Sequence, residues 1–158
     1  IAKAVYNSIA SKFDGSCFLA DVRENSRPRG GVVQLQETLL ADILRVKGLK
    51  VTSVDRGVEL IKKRLGNKKV LLILDDVDHL EPLNELAPGS DWFGSGSRII
   101  ITTRDMHLLT AHQVHCVYNV QALDAEKALE LFSWNAFKTS RPPNGYEELA
   151  RRAVDYVQ

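Results

Sequence analysis

Two adjacent acids, Asp75 and Asp76, close the most apolar run of the chain, Val70-Leu-Leu-Ile-Leu74. Charge is costly inside an apolar layer, so carboxylates at that position belong at its wet edge. Successive strand residues point to opposite faces, so the two acids have different work to do. One can hold a Mg²⁺ ion through its water shell, since that ion prefers hard oxygen ligands and keeps several waters. The other can polarise an attacking water. A plainer alternative is that both acids merely terminate a strand and cap a helix that starts near His79.

A second polar strand end is Gly96-Ser-Arg-Ile-Ile-Ile-Thr-Thr-Arg-Asp105. It reaches Arg104 about 30 residues after Asp75, roughly the length of a strand–helix–strand unit, so the two ends can be neighbours. Thr102 and Thr103 supply hydroxyls there. Arg104 supplies a guanidinium at the rim, suited to bidentate, charge-assisted bonds with the terminal phosphate of a nucleotide. The competing role for Arg104 is a surface pairing with Asp105, or with Asp75 or Asp76 across the sheet edge. Together the two ends look like half of a nucleoside triphosphate site. The glycine cradle and lysine of a phosphate-binding loop, G-x-x-x-x-G-K-[ST], occur nowhere in the 158 residues. Gly94-Ser-Gly96 lacks the lysine and leads into a strand rather than a helix.

These ends need a scaffold, and the hydrophobic periodicity supplies one. Strands and helices alternate, which predicts an α/β fold. Cys17–Val22 reads as a strand, followed by a polar stretch from Arg23 to Gly31. Val33, Leu35, Leu39, Leu40, Ile43 and Leu44 then mark a long helix. Thr52-Ser-Val-Asp55 resembles a capping box, and Val54, Val58, Ile61 and Leu65 follow at helical spacing. Val70–Leu74 is apolar on both faces, as only a central strand of a covered parallel sheet requires. A short helix near Leu80–Leu86 and a turn over 88–96 lead to the β-branched strand Arg98–Thr103. A short helix near Met106–Thr110 and a strand over Cys116–Val120 complete this part. From Asp124, a capping residue, the pattern becomes helix after helix: first Ala128, Leu129, Phe132 and Ala136, then, past Pro142-Pro143, Tyr146, Leu149, Ala150, Ala153 and Val157. The expected division is therefore an α/β unit over 1–121 and a helical unit over 122–158.

Composition narrows the class. Hydrophobic residues make up 44% and charged residues 26%, the balance of a soluble globular domain. No apolar run approaches the roughly 20 residues that span a bilayer. A net charge of +1 gives no electrostatic case for nucleic acid, and Lys62, Lys63, Arg64 and Lys68 read as a solvated helix face. Cys17 and Cys116 read as reduced, buried thiols of a cytosolic protein. His112-Gln-Val-His115 reads as a loop rather than a zinc site, and Trp92 and Phe93 as core anchors. The opening helix, with Ile1, Val5 and Ile9 on one face, has no capping residue before it and reads as cut upstream.

At this point the motifs resemble a known family. Lys69-Val-Leu-Leu-Ile-Leu-Asp-Asp-Val-Asp78 looks like the Walker B, or kinase 2, motif of the NB-ARC domain of plant immune receptors. Gly94-Ser-Gly-Ser-Arg-Ile-Ile-Ile-Thr-Thr-Arg104 resembles the next motif, whose closing arginine senses nucleotide. Phe13-Asp-Gly-Ser-Cys-Phe-Leu-Ala-Asp-Val-Arg-Glu-Asn-Ser26 and Tyr118-Asn-Val-Gln-Ala-Leu-Asp-Ala-Glu-Lys-Ala-Leu-Glu-Leu-Phe132 are similar to two inter-motif blocks. Asp78 and the Cys-Phe-Leu-Ala-Asp-Val block resemble the class with a Toll/interleukin-1-receptor-like (TIR) N-terminal domain.

The resemblance implies a P-loop NTPase-like parallel sheet, here lacking its phosphate loop, followed by a partial helical subdomain. It implies ADP in the resting state, ATP in the active state, Mg²⁺, and slow ATP hydrolysis that resets the switch. Asp75 would be the Mg²⁺-associated acid, bound through water, and Asp76 the catalytic acid. Thr102, Thr103 and Arg104 would face the nucleotide. TIR and leucine-rich-repeat domains of the same protein, and self-association on activation, are the implied partners, in the cytoplasm and in the nucleus as a second location. The family's phosphate loop would directly precede Ile1 and its Gly-Leu-Pro-Leu motif would follow Gln158, so these residues by themselves should be inactive. Two alternatives of other classes are a regulatory AAA-like ATPase and a receiver-like domain that accepts a phosphoryl group on Asp75 or Asp76.

Overall fold

A computed structural model of the chain describes residues 1–89 and 92–157. The chain divides into two compact units, Ile1–His115 and Cys116–Gln158. The first contains α1 (Ala2–Ile9), a 3-10 turn (Ala10–Lys12), β1 (Gly15–Leu19), α2 (Val22–Ser26), α3 (Gly31–Leu44) and α4 (Val54–Leu65). It continues through β2 (Val70–Leu74), α5 (Leu80–Leu86), β3 (Arg98–Ile101) and α6 (Met106–Ala111). The second holds α7 (Ala125–Phe137) and α8 (Glu147–Val157). Within the expected turn over 88–96, Ser90 and Asp91 lie outside the described residues.

The three strands form a parallel sheet in the order β1-β2-β3, so the all-apolar segment is central, as its composition requires. All five residues of β2 are buried. Register places Leu74 beside Leu19 on one side and Ile101 on the other. Alternation then sorts the faces. Cys17 reaches Asp42 of α3, and a Cβ on Gly15 would strike Ile43, so odd-numbered β1 residues face α3. Ser16 and Phe18 point the other way and meet Tyr6 of α1, whose ring packs edge-on at 5.7 Å from that of Phe18. Helices therefore lie on both faces. The larger cluster is on the α3 side, where Leu39, Leu40, Ile61, Leu65, Leu83 and Leu86 are fully buried. Each such side chain contributes about 1.5–3 kcal/mol by leaving water.

Several local expectations change. The polar stretch after β1 is not all loop, because residues 22–26 form α2. Val22 is buried, and the N–H groups of Val22 and Arg23 donate to the carbonyls of Asp75 and Asp76, at 2.9 and 3.1 Å. Glycine is needed at Gly31, the first residue of α3, since a Cβ there would strike the Asn25 carbonyl. Ser53, one residue later than the proposed box begins, caps α4 by accepting the Arg56 N–H at 3.3 Å. Asp55 sits instead in the first turn, where it complements the helix dipole.

Residues 116–120 are not a strand. Their β-branched composition is right, but no neighbouring strand among the described residues offers a ladder, and Tyr118 and Val120 are exposed. Cys116 is exposed too, contrary to the buried-thiol expectation, while Cys17 is buried. In the second unit Asp124 caps α7 by accepting the Lys127 N–H at 2.8 Å. Ala150 and Val154 form the buried face of α8, and Leu149 is 58% exposed rather than part of it.

Candidate functional site

The carboxyl ends of β2 and β3 meet as hydrogen-bonded neighbours. Thr102 N–H donates to the Leu74 carbonyl and Val77 N–H to the Thr102 carbonyl, both at 2.9 Å. This ladder carries the sheet one step past the last strand residue and brings Asp75, Asp76 and Thr102 into contact. The Thr102 hydroxyl donates to Asp75 Oδ1 at 2.6 Å and accepts the Asp76 N–H at 2.9 Å. Both acids are half-buried. Asp76 has a left-handed backbone, φ +55°. Asp is one of the residues that tolerates that conformation, because its short polar side chain bonds locally.

Each candidate residue thus has a definite place. Asp75 has one oxygen engaged by Thr102, and Oδ2 has no partner among the described residues. A half-buried carboxylate with one free oxygen, at the wet end of a central parallel strand, fits a hydrated Mg²⁺ ion held through water. Asp76 points its Oδ2 at Arg23 Nη2, 3.1 Å away. Thr102 is committed to the two acids. The Thr103 hydroxyl accepts the Asp105 N–H at 3.0 Å, and Asp105 in turn caps α6 by accepting the His107 N–H at 2.9 Å. Arg104 is exposed, and its guanidinium has no hydrogen bond or ion pair among the described residues. Asp76 is paired with Arg23, Asp105 caps α6, and Asp75 is bonded only to the Thr102 hydroxyl, so none of the three neutralises Arg104.

Arg23 and Arg27 are the residues that sequence reasoning passes over. Arg23 pairs with Asp76 and Arg27 Nη2 with Asp78 Oδ2, each at 3.1 Å. Arg23 sits on α2 and Arg27 caps its end, both beyond the carboxyl end of β1. Only the β1–β2 register, which a single sequence does not specify, brings that end beside the acids.

Three other features carry no such chemistry. The Gly94–Gly96 turn lies at the amino end of the sheet, where Gly94 N–H donates to the Lys68 carbonyl at 2.9 Å, so it faces away from the acids' rim. The Cys17 thiol lies 3.4 Å from Asp42 Oδ2, and burial, then that carboxylate, push its pKa far above the ordinary thiol range. A thiol held protonated in this way is a poor nucleophile. His112 Nε2 is 2.9 Å from the Ala87 carbonyl, and His115 is exposed.

Comparison with known proteins gives a consistent picture. Residues 1–141 match the NB-ARC domain family. The chain is 42% identical over 159 residues to disease resistance protein RPV1 of Vitis rotundifolia, covering 100% of this chain and 11% of that protein. It is 39% identical over 165 residues to TMV resistance protein N of Nicotiana glutinosa, covering 100% of this chain and 14% of that protein. Against disease resistance protein RPP4 of Arabidopsis thaliana it is 37% identical over 158 residues, covering 99% of this chain and 13% of that protein. The chain therefore spans only a small part of the length of these relatives.

Proposed function

Because the chain belongs to the NB-ARC domain family, we propose that it serves as part of an ADP/ATP switch in a plant disease-resistance protein. The observation that carries this is the rim itself. Two acids end the central parallel strand, a threonine hydroxyl fixes both, and an unpaired arginine follows two residues later. In this arrangement Asp75 would hold Mg²⁺ through water and Asp76 would orient the attacking water, with Arg104 free to contact the terminal phosphate. Mg²⁺ supplies charge neutralisation on the phosphate oxygens when bound. Thr102 acts by positioning the acids, while Thr103 lies beside the nucleotide.

A terminal phosphate gives Arg104 a contact that ADP does not. That differential contact is what biases two conformations of a switch, since a ligand shifts an equilibrium only by its differential affinity. Slow hydrolysis, resetting the switch, follows from Asp76. TIR and leucine-rich-repeat domains of the same protein are the partners that would read the state, and self-association would accompany activation. No helix among the described residues is long and apolar enough to cross a membrane, and the cytoplasm, with the nucleus as a second location, is the proposed site of action.

The test uses the chain joined upstream to a phosphate-binding loop. Arg104→Ala should weaken ATP by roughly 10- to 150-fold, the loss of one charge-assisted contact worth about 1.5–3 kcal/mol, and leave ADP nearly unchanged. Calorimetry with each nucleotide reads both numbers. Equal loss for ATP and ADP would remove the sensor role from Arg104.

A further inference from the structure

If Asp76 orients water, something must fix its carboxylate. Its main chain is held from both sides. The N–H donates to Thr102 Oγ1, and the carbonyl accepts the Arg23 N–H at 3.1 Å. What remains free is the side-chain torsion, and one side chain restrains it: Arg23, through Nη2 to Oδ2 at 3.1 Å. Oδ1 of Asp76 has no partner among the described residues. The contact is an ion pair rather than a hydrogen bond, and it draws Oδ2 towards the guanidinium while leaving Oδ1 open.

Arg23 is itself well anchored. The first turn of α2 is tied to the end of β2 by Val22 N–H to the Asp75 carbonyl. The Arg23 side chain is 34% exposed, and its Nε is buried without a hydrogen bond, 3.3 Å from Glu24 Oε1. Glu24 Oε1 also lies 3.2 Å from Arg27 Nη1, and Arg27 reaches Asp78. The guanidinium therefore lies between two carboxylates, in a short line of alternating charges. Exposed ion pairs of this kind add little to stability. Their value here is placement, since Arg23 draws Oδ2 of Asp76 to its own side.

We infer that Arg23 is a positioning residue for nucleotide hydrolysis, holding Oδ2 of Asp76 so that Oδ1 is aimed at the attacking water. The inference rests on the assignment of Asp76 made above. A carboxylate held beside a guanidinium suits the task of orienting water. Phosphoryl transfer asks for that, because its loose transition state depends on positioning and electrostatics more than on proton abstraction.

The decisive experiment measures ATP turnover by the chain joined upstream to a phosphate-binding loop, for the unaltered protein, Arg23→Ala, Arg23→Lys and Asp76→Asn. Asparagine is the right control because it tolerates the left-handed backbone of residue 76. Asp76→Asn should abolish turnover. Arg23→Ala should lower kcat roughly 10- to 100-fold with KM within about threefold, since a misaimed group costs rate rather than affinity. Arg23→Lys should recover part of the loss. An unchanged kcat in Arg23→Ala overturns the proposal, and so does a raised one, which would make the pair a restraint on Asp76. A second readout guards against simple misfolding. In the 158-residue chain itself, ¹⁵N signals of the Arg23 guanidinium should show hindered rotation that is released in Asp76→Asn, and free rotation in the unaltered chain overturns the inference directly. Turnover that needs Asp76 but ignores Arg23 sinks this inference alone. No turnover even with Arg23 in place sinks the hydrolytic role of Asp76, and the positioning role with it.

Discussion

Thr102 shows how one hydroxyl can organise two acids. It donates to Asp75 Oδ1 and accepts from the Asp76 N–H, so it stands between two half-buried polar groups and satisfies both. Valine has the same shape without the hydroxyl. Thr102→Val should therefore destabilise the chain by about 1–3 kcal/mol, the cost of leaving buried polar groups unpaired. Urea unfolding should show a lower midpoint with an unchanged slope, and Thr102→Ser should recover most of the loss. A midpoint that does not move would mean that water substitutes for the hydroxyl at no cost. From sequence alone Thr102 and Thr103 were both legible as polar groups at a strand end, but not their direction. Which hydroxyl turns inward depends on the register of β3 against β2, and that register is set by Ile99 and Ile101 packing on the core side. Arg104 was legible as a rim cation. That it would be unpaired was not, because Arg23 and the cap of α6 had to claim the nearby acids first.

At the scale of elements, legibility follows burial. β2 could be read outright, since five apolar residues bounded by charge admit only a covered central strand. α2 could not, because its backbone donors are satisfied by carbonyls from a distant part of the chain, a tertiary effect that local composition does not encode. Residues 116–120 failed in the opposite sense, for β-branched composition describes a surface that fits a sheet and not the partner it needs. The junction of α3, α4 and α5 was equally hidden. Gln36, fully buried, donates through Nε2 to the carbonyls of Val54 and Glu85 at 3.1 and 3.0 Å. Its Oε1 has no hydrogen bond and sits where a Cβ on Gly57 would be. Gly57 is thus required by its neighbour rather than by its own backbone. Gly57→Ala, which would raise the propensity of an isolated helix, should instead destabilise the protein by about 1–3 kcal/mol through overpacking. Adding Gln36→Ala should cost less in the Gly57→Ala background than in the unaltered chain, because the clash disappears with the amide. Denaturant unfolding of the four proteins reads the coupling, and strict additivity would mean that the two residues do not meet.

For the molecule as a whole, the question is whether the rim of β2 and β3 holds a nucleotide unaided. The chain supplies an acid that fits hydrated Mg²⁺ and an unpaired arginine, and its sequence contains no glycine–lysine cradle. ADP leaves Arg104 without its phosphate, so the acid's one charge-assisted contact contributes about 1.5–3 kcal/mol. The loss of translational and rotational freedom on association costs about 4–15 kcal/mol. The backbone donors that ordinarily close this gap are those of a helix N-terminus gripping the inner phosphates. The 158 residues alone should therefore bind ADP with Mg²⁺ more weakly than about 1 mM, a free energy near 4 kcal/mol. Joining a phosphate-binding loop upstream should bring affinity into the micromolar range, and Asp75→Asn should then reduce the Mg²⁺-dependent part. Calorimetry on the three proteins checks the sequence of effects. Micromolar ADP binding by the unextended chain needs about 8 kcal/mol from somewhere, and would show that the rim of β2 and β3 is not where the nucleotide is held.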